Sequence, residues 1–321
     1  MPSKTRTMAH AVPMTDDAIS DASELLRTGH LVAFPTETVY GLGANALDDT
    51  AVARIYAAKN RPQFNPLIVH LPDVPAVSNY AIMDARAEQI AEALWPGPLS
   101  LVLPRTGNCP LSPLVSAGLE TVALRVPASE SANRLLRTAE VPVAAPSANK
   151  SGMLSPTEAQ HVADAFVDEV ALVLDGGACP VGLESTVLDL STDQPTLLRA
   201  GGTSLEILSE VLDAPVAIAG HDDVAPKSPG MLSRHYAPRT PLRMNAENGE
   251  DGEALLGFGS PVAGEDANLS LNGDTVEAAA NLFRMLHALD AEGHTGIAVR
   301  PIPEDGLGRA INDRLRRAEL G

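Results

Sequence analysis

Leu31-Val32-Ala33-Phe34-Pro35-Thr36-Glu37-Thr38-Val39-Tyr40-Gly41-Leu42-Gly43 is the stretch on which the fold turns. Four apolar residues stopped by a proline read as a buried strand, because proline cannot donate the next ladder hydrogen bond. The strand opens into a polar turn over 36–43, and strand ends are where α/β sheets bind ligands. Two threonines flanking a glutamate supply hydroxyls and a carboxylate at that rim, although an ordinary turn accounts for them equally well. The segment is not a dinucleotide fingerprint, since the third glycine is missing, and the chain has no P-loop.

Outward from this strand, helices and strands alternate. Thr15 can cap a helix through 28 that Gly29 stops, a helix over 49–59 follows the polar turn, and 67–71 is again a strand. Next come a helix over 84–94, a break at Trp95-Pro96-Gly97-Pro98, and strands over 99–103 and 121–126. A helix from Ser129, a strand over 141–145, a helix capped by Thr157 and a strand over 170–174 follow, then a strand pair over 185–190 and 196–199. This interleaving predicts an α/β layer structure around a mixed sheet with flanking helices. From 214 to 241 the pattern dissolves into Pro, Gly, Asp and Ser, a linker composition. A strand near 255–258, a helix over 274–290, a strand over 296–299 and an Arg-rich helix to 319 make a shorter α/β unit. The expected organisation is a first domain over 1–213, a linker or lid over 214–241, and a small domain over 242–321.

A chain of 321 residues, 45% hydrophobic and 20% charged, has the composition of a globular protein with room for two domains. Forty-one acidic residues against 23 basic ones give a formal net charge of -18, which repels polyanions over most of the surface. Any nucleotide site must therefore be a local basic pocket. Aromatic residues are 3%, too few for a platform that stacks single-stranded nucleic acid. Cys109 and Cys179 do not have metal-type spacing, so a structural zinc site is not expected and a reduced, cytoplasmic setting is. Neither a signal peptide nor a membrane span is expected, as there is no apolar leader and no run of 18 apolar residues.

Lysine is scarce, with only Lys4, Lys59, Lys150 and Lys227, and one of them opens Lys59-Asn60-Arg61-Pro62-Gln63-Phe64-Asn65-Pro66-Leu67. An ammonium and a guanidinium held by a stiff Arg-Pro step suit phosphate oxygens, and proline presents Arg61 from a loop. A solvated pair after a helix is the plainer reading. Ala145-Pro146-Ser147-Ala148-Asn149-Lys150 leaves another strand, with Ser147 and Asn149 able to donate to phosphate; turn chemistry explains the same residues. Arg125 ends a strand and shares a face with Thr121, so it needs an anion there, either a structural partner or a substrate carboxylate. His70 stands on the strand after the Lys-Arg loop. Arg199 precedes Gly201-Gly202, the sign of a tight backbone approach, and Glu184-Ser185-Thr186 opens a strand. Ser228-Pro229-Gly230-Met231-Leu232-Ser233-Arg234-His235-Tyr236-Ala237-Pro238 is dense in recognition chemistry for a spacer and is expected to fold back over the first domain.

Taken together, the Lys-x-Arg-Pro, Ser-x-Asn, Glu-Ser-Thr, Ser-Pro-Gly-Met and Arg-His-Tyr-Ala-Pro elements resemble the two-domain threonylcarbamoyl-AMP synthase family. In that family a YrdC-like domain, a twisted mixed sheet with flanking helices, precedes a small Rossmann-like α/β domain. The resemblance covers 20–321, and Gly306-Leu307-Gly308-Arg309-Ala310-Ile311-Asn312-Asp313-Arg314-Leu315 is similar to the family's ending. It implies an enzyme that joins L-threonine, bicarbonate and ATP, with Mg2+, into threonylcarbamoyl-adenylate and pyrophosphate. A separate tRNA threonylcarbamoyl-transferase complex uses that product. The resemblance places Lys59, Arg61, Ser147 and Asn149 around the nucleotide phosphates as the catalytic set. It places Asn65, Thr121, Ser155, Arg199 and Tyr236 at ATP, and Thr38, His70, Arg125, Ala145 and Ser185 at threonine, Ala145 through its backbone. Where the family often has glycine, this chain has Asn60, which also tolerates a left-handed turn. Metal ligands are not implied, and Glu37 is the nearest residue to a general base.

Three rivals follow from the same residues. A double-stranded RNA-binding or regulatory protein of this fold conflicts with the -18 charge, since phosphate contacts dominate such binding. A carbamoyl-transfer enzyme with another acceptor would be expected to carry cysteine clusters that this chain lacks. An inactive paralogue conflicts with the presence of all four residues of the catalytic set.

Overall fold

The computed structural model describes residues 11–62, 64–220 and 236–320. Gln63 of the Lys-Arg loop and the Ser228 to His235 part of the linker motif lie outside the described residues. The chain runs β1 (Ala11–Pro13), α1 (Asp16–Arg27), β2 (Val32–Phe34), β3 (Gly41–Asn45), α2 (Asp49–Lys59), β4 (Ile68–His70), α3 (Ala85–Leu94), β5 (Leu99–Pro104) and β6 (Thr121–Arg125). It continues through α4 (Glu130–Ala139), β7 (Val143–Ala144), α5 (Ala159–Ala165), β8 (Leu172–Asp175), β9 (Thr186–Asp189), β10 (Thr196–Arg199), α6 (Leu205–Leu212) and β11 (Ala217–Ile218). A second unit holds β12 (Leu242–Arg243), β13 (Glu253–Gly257), β14 (Ala267–Asn268), α7 (Thr275–Ala291), β15 (Gly296–Val299) and α8 (Gly308–Glu319).

The large sheet is mixed, as the sequence predicts, in the order β1-β8-β2-β3-β7-β4-β6-β5-β9-β10-β11. Its central strands have apolar residues on both faces, because helices cover both. Ala33, Leu42, Ala44, Val69, Leu101 and Leu124 face the side covered by α2, α3, α5 and α6. Val32, Phe34, Val143 and Leu174 face α1 and α4. The smaller sheet, β12-β15-β13-β14, is parallel throughout. Among the described residues, no helix is long and apolar enough to cross a membrane.

Local chemistry sets the helix ends. Asp48 caps α2 by accepting from Thr50 N at 2.8 Å and Ala51 N at 3.3 Å. The helix stops at Asn60, whose φ of 53° and ψ of 41° are left-handed, the conformation asparagine was expected to tolerate. Two expectations need correction. The 36–43 turn is half strand: β3 begins at Gly41, and a side chain at Gly43 would stand 2.9 Å from both Phe34 and Val143. Those glycines therefore serve strand packing, which local composition does not distinguish from turn chemistry. Thr157 does not cap α5, because the helix starts one residue later with Glu158 at the cap position and no side-chain bond there. Within the stretch read as linker, β11 still pairs with β10 of the large sheet.

The two units share a core. Val39, Leu154, Leu183 and Tyr236 are buried in one cluster with Leu282, Phe283 and Leu286 of α7 and Ile311 and Leu315 of α8. At Gly182, an added Cβ would lie 2.5 Å from the Ala279 carbonyl oxygen, so α7 backbone rests directly on the 182–185 segment. Phe283 is fully buried and its ring centroid is 5.8 Å from that of Tyr236. Phe283→Ala is expected to cost about 3–5 kcal/mol in urea unfolding; a loss below about 1 kcal/mol would show that the shared core carries little load.

Candidate functional site

Four strands deliver the site's first half. His70 ends β4 and Arg125 ends β6, and the two are directly paired in register. Ala145 follows β7 and donates its N–H to Ile68 O at 2.9 Å, and Thr38 precedes β3. Arg125 donates from Nη1 to the Thr38 hydroxyl at 2.9 Å and from Nε to Gly97 O at 3.3 Å. Its Nη2 lies 2.7 Å from Glu37 Oε1 as an ion pair but makes no hydrogen bond among the described residues. Glu37 also accepts from Ala128 N at 3.1 Å and Ser129 N at 3.3 Å, tying it to the start of α4. Burial works to raise its pKa, but the Arg125 charge and these bonds prevail and hold it below the ordinary value. Glu37 is thus engaged as an ion-pair partner, and a depressed carboxylate is a poor general base. His70 is buried, and burial first and the Arg125 charge second push its pKa down to about 3, so the ring is neutral. Its Nδ1 has no hydrogen-bond partner among the described residues.

The second half is the cation clamp. Lys59 closes α2, and its Nζ donates to the Ser147 carbonyl at 2.6 Å and to the Asn149 carbonyl, with Asn149 Oδ1 at 3.3 Å. Asn60 then reverses the chain, and Arg61 donates to the carbonyls of Asn65 at 3.2 Å and Pro66 at 2.9 Å. Both cations are buried. Burial, and then the charge of Arg61, hold the Lys59 pKa well below the ordinary lysine value, while burial pushes Arg61 down to about 10. Ser147 Oγ donates to Asn149 Oδ1 at 2.5 Å, and the Asn149 amide donates to Lys150 O and Met153 O. Both polar atoms of the Asn65 side chain are buried without a partner among the described residues.

The third wall comes from 184–203. Arg199 donates to the Ser185 carbonyl at 2.7 and 3.1 Å and to its hydroxyl at 3.2 Å, and that hydroxyl also meets Ser100 Oγ at 2.8 Å. A side chain at Gly201 would stand 2.3 Å from the Glu184 carbonyl oxygen and 2.4 Å from Thr186 N, the tight approach that the Gly-Gly pair announced. Glu184 is buried; Ser155 Oγ donates to one carboxylate oxygen and Arg314 Nε donates to the other at 2.9 Å.

These walls enclose one cavity with 510 Å³ of empty space, its mouth included. Thr38, His70, Arg125, Ala145 and Ser185 line it from the sheet, and Arg61, Ser147, Arg199 and Tyr236 line it from the clamp and beyond. Lys59 and Asn149 stand one layer behind Ser147, and Ser155 stands behind Glu184. Asn65 and Thr121 are not part of the lining, Asn65 being fully buried beside Arg61 and Thr121 half-buried at the far end of β6. Glu184, in the wall, and Arg314, which holds it, stand within the Glu-Ser-Thr and C-terminal elements, but the sequence reading assigns neither a role. Glu184 sits beside a chosen serine; Arg314 is one arginine of an Arg-rich helix and carries no local signal. Among the described residues, no group of three or more His, Cys, Asp or Glu is placed to hold a metal ion. Side-chain oxygens on the lining come from Thr36, Thr38, Ser147, Glu184, Ser185 and Tyr236.

A mixed α/β sheet whose strand ends converge on a cationic, partly open cavity has the architecture of ligand-binding α/β proteins. A family model described as telomere recombination matches 24–201, and one described as threonylcarbamoyl-AMP synthase, C-terminal domain, matches 203–319. The threonylcarbamoyl-AMP synthase of Pyrococcus abyssi is 44% identical, over 92% of each chain. That of Bacillus subtilis is 40% identical, over 95% of this chain and 94% of its own. The crystal structure of P. abyssi Sua5 complexed with L-threonine superposes with a TM-score of 0.86 at 41% identity, covering 94% of each chain. The chain belongs to the threonylcarbamoyl-AMP synthase family, as its motifs led us to expect.

His70 gives a pH test. The unfolded chain binds a proton near the ordinary 6.5 while the folded ring resists until about 3, so stability falls as pH drops through that window. In nitrogen-15 spectra of the folded protein, the His70 ring is expected not to titrate between pH 5 and 8; a midpoint near 6.5 would contradict its burial.

Proposed function

We propose that the chain is an L-threonylcarbamoyladenylate synthase, a nucleotidyltransferase that joins L-threonine, bicarbonate and ATP into threonylcarbamoyl-AMP with release of pyrophosphate and water. One observation carries the reading. Lys59 and Arg61 are buried cations bonded to carbonyl and amide oxygens and, among the described residues, to no carboxylate. Carbonyl dipoles, with Glu184 the nearby negative charge acting on Lys59, only partly offset two buried cations, so the arrangement suits an anion of high charge density, such as a triphosphate. The solved Sua5 with L-threonine bound and the named relatives support the same substrates.

The chemistry needs a neutral threonine amine to attack the carbon of bicarbonate or carbon dioxide, giving a carbamate. A carbamate oxygen then attacks the α-phosphorus, and the bond to the pyrophosphate leaving group breaks. Both reactants are anionic, so the residues' work is positioning and charge stabilisation. Arg125, on the cavity lining with Glu37 as its ion-pair partner, would take the threonine carboxylate, with Thr38, Ser185 and neutral His70 around the rest. Arg61, Ser147 and Arg199 would hold phosphates, while Lys59 and Asn149 brace Ser147 from behind. Tyr236 on the lining and Ser155 behind Glu184 complete the ATP site in this reading, while Asn65 and Thr121, off the lining, would reach ATP only beyond this cavity.

Mg2+ would enter on the triphosphate, because it keeps waters and binds through few protein oxygens plus substrate phosphates. Ser147 Oγ, on the lining, would meet its hydration shell, and the ion would shield phosphate charge. We assign catalysis to 1–213, a lid to 214–241 that keeps water from the labile carbamate, and support to 242–321. The product would pass to a tRNA threonylcarbamoyl-transferase complex in the cytoplasm. The site's cations are buried rather than arrayed on the surface, and the formal net charge of -18 opposes duplex RNA.

Lys59→Ala and Arg61→Ala are each expected to lower threonine-dependent pyrophosphate release at least about 100-fold in folded protein. Normal turnover in both would remove the clamp from the mechanism. Ending the chain before Ser228 is expected to lower activity severely, and an unimpaired fragment would reduce the linker to a tether.

A further inference from the structure

The cavity wall contains an apparent contradiction. A site that must accept a polyanion is lined by the carboxylate of Glu184, and at a few ångströms a like charge in a poorly screened interior is strongly repulsive. Across the interface between the two units stands Arg314, the largest fully buried side chain among the described residues. A guanidinium at 1% exposure is costly to bury, and apolar packing would usually stabilise a core as well or better. The arginine therefore needs a reason that packing does not supply.

Its contacts supply one. Arg314 Nε donates to Glu184 Oε2 at 2.9 Å, while Ser155 Oγ donates to Oε1, so each oxygen of Glu184 has a partner. Nη1 meets Asp313 at 2.8 Å, and the guanidinium carbon lies 4.9 Å from the centre of the Tyr236 ring, another residue of the cavity wall. The segment bearing Glu184 is pressed against the second unit by α7 at Gly182 and by Leu183 in the shared core.

We propose that Arg314 is a positioning residue for the nucleotide site: from α8 it neutralises and fixes Glu184, so that this wall carboxylate does not repel phosphate. This gives the C-terminal unit a function in the reaction, the delivery of one counter-charge to the catalytic wall. The inference rests on ATP being the ligand of the cavity.

The test is ATP binding by calorimetry, which does not depend on turnover. Wild-type protein that binds no ATP would defeat the functional reading itself. Given wild-type binding, Arg314→Met is expected to weaken ATP about tenfold or more by exposing the Glu184 charge. Arg314→Lys is expected to stay nearer wild type, and L-threonine binding to change less than ATP binding. The double variant Glu184→Gln/Arg314→Met is expected to bind ATP within about threefold of Glu184→Gln alone, because the charge that Arg314 balances is gone. A double variant as weak as Arg314→Met, or Arg314→Met with wild-type affinity, would overturn the proposal. Should Arg314→Met fail to fold, the double variant and Arg314→Lys decide: folded double variant with restored binding supports charge balance, and loss of ATP binding in folded Arg314→Lys and the double variant alike overturns it.

Discussion

Lys59 and Arg61, two cations buried side by side with carbonyl dipoles for company, are the constraint to which the rest of the catalytic unit answers. The two charges repel each other, and both lose hydration as well. Burial and mutual repulsion are what hold the Lys59 pKa down. The fold must supply that energy from elsewhere, and an apolar sheet covered on both faces is the element able to do so.

The sheet's mixed order is what brings the distant parts together. β4, β6 and β7 are neighbours although 20 or more residues separate His70, Arg125 and Ala145 in the chain. Their ends carry the anion-seeking groups to one side. The Lys-Arg loop enters from the end of α2, and the 184–203 segment closes the opposite wall. Each cation then meets a different solution to its burial: carbonyls for Lys59 and Arg61, a serine carbonyl and hydroxyl among the partners of Arg199, a carboxylate for Arg125 and another for Arg314. In the proposed function, a triphosphate would supply negative charge beside the clamp.

Local signals in the sequence carried most of the elements. Apolar runs stopped by proline or glycine located β2, β4, β5 and β15, and caps such as Asp84, Ser129 and Asn60 mark helix ends as their side-chain chemistry requires. Gly201 announced a close backbone approach because no other residue fits there. What escaped is long-range. Gly41 and Gly43 look like turn residues until the partner strands are known, and Lys59 reads as a solvent-facing clamp until the carbonyls of 147–149 are seen to hold it. Arg314 gives no hint of its role, since its partner lies 130 residues away.

The most direct measurement is a crystal structure of the protein with a non-hydrolysable ATP analogue and L-threonine. The account predicts triphosphate oxygens within hydrogen-bond distance of Arg61, Ser147 and Arg199, with the threonine carboxylate at Arg125, all in the one cavity. Nucleotide bound elsewhere, for example in the cleft between the units beside His161 and His287, with Arg61 still held by carbonyls alone, would contradict it.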